Sequence, residues 1–290
     1  MDESRKIKIG FIQMRCTAEK EKNVEKATRL IRELAVKGAQ IVCLQELFQT
    51  VYFCYEENFS HFGLAEKNES STFQHFSQLA RKNKLVLILP YFEKRADGIY
   101  HNSAAVIDAD GSRLGNYRKI HIPDDPGYHE KFYFTPGDTG YMTFKTRYAT
   151  LGVLICWDQW YPEAARITSL MGAEILFYPT AIGWEHQEDE TSRETQLEAW
   201  RCIQRSHAIA NGVYVVAVNR VGREKLTTFW GNSFISNPSG KIMCMAGQEN
   251  EEAGVYELDL NHIDIYRTHW PFLRDRRVDT YQLLDKKWID

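Results

Sequence analysis

The chain has 290 residues, 43% of them hydrophobic and 26% charged, with a net charge of −3. A chain of this length can bury roughly 75% of its unfolded surface, so a large core is available in one or two domains. The near-neutral charge excludes a general electrostatic pull toward nucleic acid or an anionic membrane. No apolar run approaches the roughly 18 residues of a membrane span, and the N-terminal stretch MDESRKIKIGFIQM holds none suited to a secretion signal. Cys16, Cys43, Cys54, Cys156, Cys202 and Cys244 form no CxxC pair and no zinc-ligand spacing, which suits reduced thiols in a cytoplasmic protein.

Residues 6–14 read as a short buried strand. Thr17 is placed to cap a helix in which Val24, Ala27, Leu30, Ile31, Leu34 and Ala35 recur at helical spacing, and Gly38 stops it. QIVCLQE is a second buried strand, ending at Glu46. Residues 47–69 are aromatic and irregular, too long for a simple connection, and are expected to line a site. Ser70 or Ser71 opens a helix carrying Phe73, Phe76, Leu79 and Ala80. LVLILPYFE and HNSAAVID are strands joined by the Asp97-Gly98 turn, and Asp110-Gly111 turns the chain into RLGNYRKIHI. After a proline- and glycine-rich loop at 122–140, YMTFKT and ATLGVLIC read as paired strands, and Pro162 opens a helix through Met171. EILFYPT is a strand, residues 190–211 a long helix, and VYVVAVN a further strand. Asn237-Pro238-Ser239-Gly240 turns between two more strands, GVYELDL adds another, and the tail at 261–290 reads as extended. Strands and helices alternate throughout, with hairpins between crossover helices and no linker. This predicts one α/β domain over residues 1–290, with mixed sheets flanked by helices.

Three reactive side chains end apolar runs: Glu46 in QIVCLQE, Lys119 in LGNYRK and Cys156 in TLGVLIC. Singly, each admits an ordinary reading: a surface carboxylate, a solvated strand lysine, a packed core thiol. Together they suit covalent catalysis. An unperturbed thiol, with a pKa of ~8.5, is only slightly ionised at neutral pH. A carboxylate that accepts its proton is worth about 10²–10⁴-fold, and an ammonium alongside can hold an oxyanion. Asp158 and Gln159 directly after Cys156 suggest that this strand end leaves the core.

LQELF around Glu46, YRKIHIP around Lys119, GYHEKFYFTPGDTG and GVLICWDQWYPE around Cys156 carry a further likeness over nearly the whole chain. The sequence resembles the nitrilase superfamily of carbon–nitrogen hydrolases. That resemblance implies a four-layer α-β-β-α sandwich with two mixed sheets and homo-oligomers assembled through helix-bearing faces. It also implies Glu46 as general base, Lys119 as triad lysine, Cys156 as nucleophile and Glu130 as a second glutamate beside them. The nine histidines include no HExxH and no cluster at ligand spacing, and no P-loop or dinucleotide fingerprint is present, so neither metal nor nucleotide cofactor is expected.

Substrate class is read from charge. Hydrolases of carbamoyl amino acids need a cation for the substrate carboxylate, usually arginine, yet none follows Cys156 before Arg166. Glu185 instead ends PTAIGWE, where it would favour a distal ammonium. Tyr52, Tyr128, Trp157 and Thr180 are the other expected substrate contacts. The partner expected is therefore a small carbamoyl amine, with no nucleic acid and no membrane. The alternatives are a hydrolase of carbamoyl amino acids, an aliphatic amidase, or a non-catalytic binding protein on the same scaffold.

Overall fold

The computed structural model describes residues 5–289. Met1 to Ser4, part of the stretch read above for a secretion signal, and Asp290, the end of the tail, lie outside the described residues. The strands are β1 (Lys6–Gln13), β2 (Ile41–Leu44), β3 (Val86–Ala96), β4 (Ile99–Ile107), β5 (Arg113–Arg118), β6 (Thr143–Lys145), β7 (Thr150–Val153) and β8 (Ile175–Pro179). They continue as β9 (Gly183–Glu185), β10 (Tyr214–Val218), β11 (Val221–Glu224), β12 (Thr227–Trp230), β13 (Phe234–Ser236), β14 (Ile242–Met245) and β15 (Glu252–Asp259). The α-helices are α1 (Lys20–Val36), α2 (Ser71–Asn83), α3 (Glu130–Tyr133), α4 (Pro162–Leu170), α5 (Glu190–Asn211) and α6 (Asn261–His269).

Among the described residues the strands form two six-stranded sheets, ordered β15-β1-β2-β3-β4-β5 and β14-β13-β10-β8-β7-β6. Each has three parallel strands at its centre and antiparallel strands outside them. Side-chain alternation explains the layering. Ile41 and Cys43 of β2 enter a core shared with Leu151, Val153, Ile175 and Phe177 of the second sheet. Val42 and Leu44 point the other way, onto Ile31 and Leu34 of α1 and Phe76 and Leu79 of α2. Helices α4 and α5 contact β8 and β10 of the second sheet. The order is helix, sheet, sheet, helix, as the resemblance implied.

Four local expectations need correction. Thr17 does not cap α1: Glu19 holds the N-cap position without a side-chain bond, while the Thr17 amide donates to Asn23 Oδ1 at 2.9 Å. The tail opens with a helix, α6, which buries only Ile263, so NHIDIYRTH lacks the apolar stripe that announces a helix. A three-stranded sheet, β11-β12-β9, was not foreseen. Its strands are three or four residues long, too short for a period to register. Residues 47–69 contain the 3₁₀ turns Phe53–Tyr55 and Phe59–Leu64; Tyr52, Phe53 and Phe62 pack with Phe92, Phe132, Tyr133 and Phe134 as a separate core, while Phe48 joins the core under α1 and α2.

Candidate active site

β5 runs in the same direction as β2 and β3, because the two antiparallel pairings through β4 restore it. Glu46, just past β2, and Lys119, just past β5, therefore stand at the same end of one sheet. Ligand sites favour the carboxyl ends of parallel strands. Cys156 follows β7 of the other sheet and begins the 3₁₀ turn Cys156–Trp160.

Lys119 is completely buried, and so are its partners. Its Nζ donates to Glu46 Oε1 at 3.0 Å and to Glu130 Oε2 at 2.7 Å. Asn102 of β4 donates from Nδ2 to Glu46 Oε1 at 2.7 Å, and its carbonyl accepts the Lys119 amide at 2.8 Å. The Tyr52 hydroxyl donates to Glu130 Oε1 at 2.7 Å. Glu46 Oε2 is buried without a hydrogen-bond partner among the described residues. A buried carboxylate oxygen left unpaired is costly, and it is also an acceptor free to take a proton. Gly137 lies against the end of β5, where a Cβ would stand 2.2 Å from the Arg118 carbonyl oxygen; only glycine lets the loop close there.

Cys156 has φ of +44°, sparsely populated for a residue with a Cβ. Asp158 fixes this elbow: its Oδ2 accepts the Ile155 amide at 2.9 Å and the Tyr117 hydroxyl at 2.7 Å, and its Oδ1 accepts the His121 amide at 3.0 Å. One carboxylate thus ties the turn carrying Cys156 to the strand end carrying Lys119. Asp158 and Gln159 are fully buried, so their polarity serves internal hydrogen bonds; the expectation that the chain here leaves the core is corrected.

Burial pushes the Cys156 thiol well above the usual cysteine range, with the Glu46 carboxylate adding to the rise, Lys119 opposing it and Glu130 supporting it. Burial also raises Glu130, against the pull of Lys119. For Lys119 burial works against the charge, but Glu130 and Glu46 outweigh it and hold the ammonium well above the ordinary lysine value. The raised thiol and the buried Glu46–Lys119–Glu130 cluster act on one another electrostatically. Such an arrangement can transfer a proton from sulfur and hold negative charge developing on a bound carbonyl.

Cys156, 5% exposed, lines a cavity of about 330 Å³ together with Tyr128, Trp157, Trp160, Trp230 and Ile182. Asp125, Glu185 and Glu188 also line it; among the described residues no lysine or arginine does, and Glu46, Lys119 and Glu130 lie buried outside the wall. The Glu185 carboxylate has no hydrogen-bond or ion-pair partner among the described residues; Arg193 reaches its backbone carbonyl at 3.4 Å. Of the expected substrate contacts, Tyr128, Trp157 and Glu185 are therefore in the wall. Tyr52 and Thr180 are not. Tyr52 is held behind Glu130, and the Thr180 hydroxyl is turned to the Tyr178 carbonyl at 3.0 Å and Gln159 Oε1 at 3.3 Å. Nor does any of residues 47–69 line the cavity; the loop reaches the ion cluster through the Tyr52 hydroxyl on Glu130. Asn102 and Asp158 were missed as site residues. The signal available for Asn102 was the polar run His101-Asn102-Ser103 inside an otherwise apolar strand.

A family model for carbon–nitrogen hydrolases matches residues 8–268. An N-carbamoylputrescine amidase of Oryza sativa is 48% identical over 96% of this chain and 94% of its own length. A citrullinase of Francisella tularensis is 39% identical over 97% and 99%. The crystal structure of a carbon–nitrogen hydrolase from Helicobacter pylori superposes with a TM-score of 0.95 at 46% identity, covering 98% of this chain and 100% of the other. With the sandwich and the buried cluster in place, these matches show that the chain belongs to the carbon–nitrogen hydrolases of the nitrilase superfamily.

Proposed function

We propose that this hydrolase cleaves N-carbamoylputrescine to putrescine, carbon dioxide and ammonia, with Cys156 as nucleophile. The observation that carries the substrate reading is the unpaired Glu185 carboxylate in a cavity wall that, among the described residues, has three carboxylates and no cation. Such a wall suits a substrate ending in an ammonium, and its indole and phenol faces suit an alkyl chain between the two ends. Citrulline ends in a carboxylate as well as an ammonium, and carbamoyl-β-alanine in a carboxylate alone; the wall offers neither carboxylate a counter-charge.

In this mechanism the sulfur attacks the carbamoyl carbon while Glu46 takes the thiol proton. Lys119 and the Trp157 amide, in the first turn of its 3₁₀ segment, stabilise the oxyanion. Ammonia leaves with the proton held by Glu46, and a thiocarbamate on Cys156 remains. Water, deprotonated by Glu46 or Glu130, cleaves the carbon–sulfur bond. The carbamate released decomposes to carbon dioxide and the amine.

Assayed side by side, N-carbamoylputrescine is expected to exceed citrulline and carbamoyl-β-alanine in kcat/KM by at least about 10²-fold, the scale of leaving one buried charge unpaired. Glu185→Gln should raise KM for N-carbamoylputrescine about tenfold or more and leave it unchanged for an uncharged carbamoyl amine. Equal turnover of carbamoyl-β-alanine would defeat the substrate reading. We also propose a homo-oligomer. Ile167, Leu170 and Met171 at α4, and Trp270, Leu284 and Trp288 in the tail, are large apolar side chains left exposed. Light scattering should give at least twice the 33.8 kDa of one chain, and a monomer would refute this.

A further inference from the structure

Arg220 is completely buried and lies outside the cavity wall. Its two terminal nitrogens reach the backbone of the segment after β2: Nη1 donates to the Thr50 carbonyl at 2.9 Å, and Nη2 to those of Glu46 at 3.1 Å and Leu47 at 2.8 Å. Nη1 also donates to Glu224 Oε1 at 2.8 Å, and Glu224 Oε2 accepts the Tyr52 amide at 2.6 Å. Tyr52 in turn donates its hydroxyl to Glu130. One ion pair thus reaches both carboxylates that flank Lys119, Glu46 through its own carbonyl and Glu130 through Tyr52.

The backbone between them is strained. Leu47 has φ of +49°, a region that a leucine rarely enters. Such a residue persists only where its surroundings over-determine it. Here two successive carbonyls, on either side of the strained φ, terminate on one guanidinium nitrogen. A planar fork suits that task, where a lysine offers a single point charge. Hydrophobic packing alone would cover the segment without fixing the direction of its carbonyls.

We propose that the Arg220–Glu224 pair is a positioning device that sets Glu46 and Glu130 against Lys119. This rests on the reading of Glu46 as the group that takes the thiol proton. Neither residue touches substrate; both act through the backbone of 46–52 and the Tyr52 side chain.

The test is steady-state kinetics of the full chain with N-carbamoylputrescine, comparing Arg220→Lys, Arg220→Ala, Glu224→Gln and Glu46→Gln, with folding checked by circular dichroism. A misplacement near 1 Å predicts a fall in kcat of about 10²-fold for Arg220→Lys with KM nearly unchanged. Glu224→Gln, losing one charge-assisted bond, should lower kcat about tenfold, again without a change in KM. Millimolar guanidinium, but not ammonium, should restore part of kcat to Arg220→Ala. Folded Arg220→Lys and Glu224→Gln proteins that keep wild-type kcat, or lose only KM, would overturn the proposal while an inactive Glu46→Gln left the general-base reading intact. Where Arg220→Lys does not fold, Glu224→Gln decides. An active Glu46→Gln would instead remove the general-base reading and this inference with it.

Discussion

Cys156→Ala is expected to reduce turnover of N-carbamoylputrescine by at least about 10⁴-fold, the scale on which loss of a nucleophile acts in other covalent hydrolases. The substitution removes one sulfur whose one hydrogen bond among the described residues is the 3.9 Å contact to the Ala181 carbonyl, so the fold should survive it. The companion measurement is mass spectrometry of wild-type protein trapped with a slow carbamoyl substrate. It should find the carbamoyl adduct on the Cys156 peptide, and none on the fully buried Cys43. The pH dependence follows from the raised thiol. Free thiolate accumulates only as pH climbs toward the folded-state value, so alkylation by iodoacetamide should be slow at neutral pH and accelerate under alkaline conditions. In the proposed mechanism Glu46 takes the proton during attack and no resting thiolate is needed, so turnover should already be substantial at neutral pH. Wild-type turnover by Cys156→Ala, or an adduct on another residue, would end the assignment.

The second large effect is expected from Lys119→Met, in stability as well as rate. The ammonium lies between two fully buried carboxylates, 3.0 Å from one and 2.7 Å from the other. Removing one member of such a buried set costs about 3–5 kcal/mol. At roughly 2–4 °C per kcal/mol for a large domain, melting should fall by about 10 °C. Loss of the proposed oxyanion donor should lower kcat by about 10²–10³-fold. The sign of the pH dependence is fixed by Glu130. Its folded-state pKa is raised by burial even with Lys119 present, so ionising it above pH ~4.5 already works against folding. Without the ammonium that pKa rises further. The gap in melting temperature between wild type and variant should therefore be smallest at acidic pH, where the carboxyl is protonated in both states, and widen as pH rises toward 8. Equal stability at pH 8, or an unchanged kcat, would show that the cluster is not coupled as its geometry requires.

Much of the layering was legible because it rests on local periods. The α5 helix at 190–211, the α2 helix after Ser70, and the hairpins at Asp97-Gly98 and Asn237–Gly240 all follow from apolar spacing and turn residues that act over a few positions. Helix α6 and the small sheet were not legible, because one buried isoleucine and strands of three or four residues carry no period. In the site, Glu46, Lys119 and Cys156 stood out as polar groups terminating apolar runs. An aromatic residue in an irregular loop suits a pocket, which is why the sequence points to Tyr52 as a substrate contact. Its hydroxyl faces Glu130 instead, since that buried carboxylate requires a donor. Thr180 was displaced from the expected role for a similar reason, its hydroxyl satisfied within its own strand end.

The linear order of residues determined which side chains are reactive and which runs must be buried, since both depend on chemistry within a few positions of the chain. It left open whether a carboxylate at position 46, an ammonium at 119 and a carboxylate at 130 would ever meet. Two antiparallel pairings that restore β5 to the direction of β2 brought the first two to one end of a sheet, and the stretch after β5 carries Glu130 to Lys119. Packing of that sheet against the second placed their charges where they bear on the Cys156 sulfur. Tertiary structure alone decided that Asn102, Asp158 and Arg220 hold this site in place, because their worth lies in satisfying buried partners from 37 to 174 positions away, and no local pattern encodes a distance of that kind.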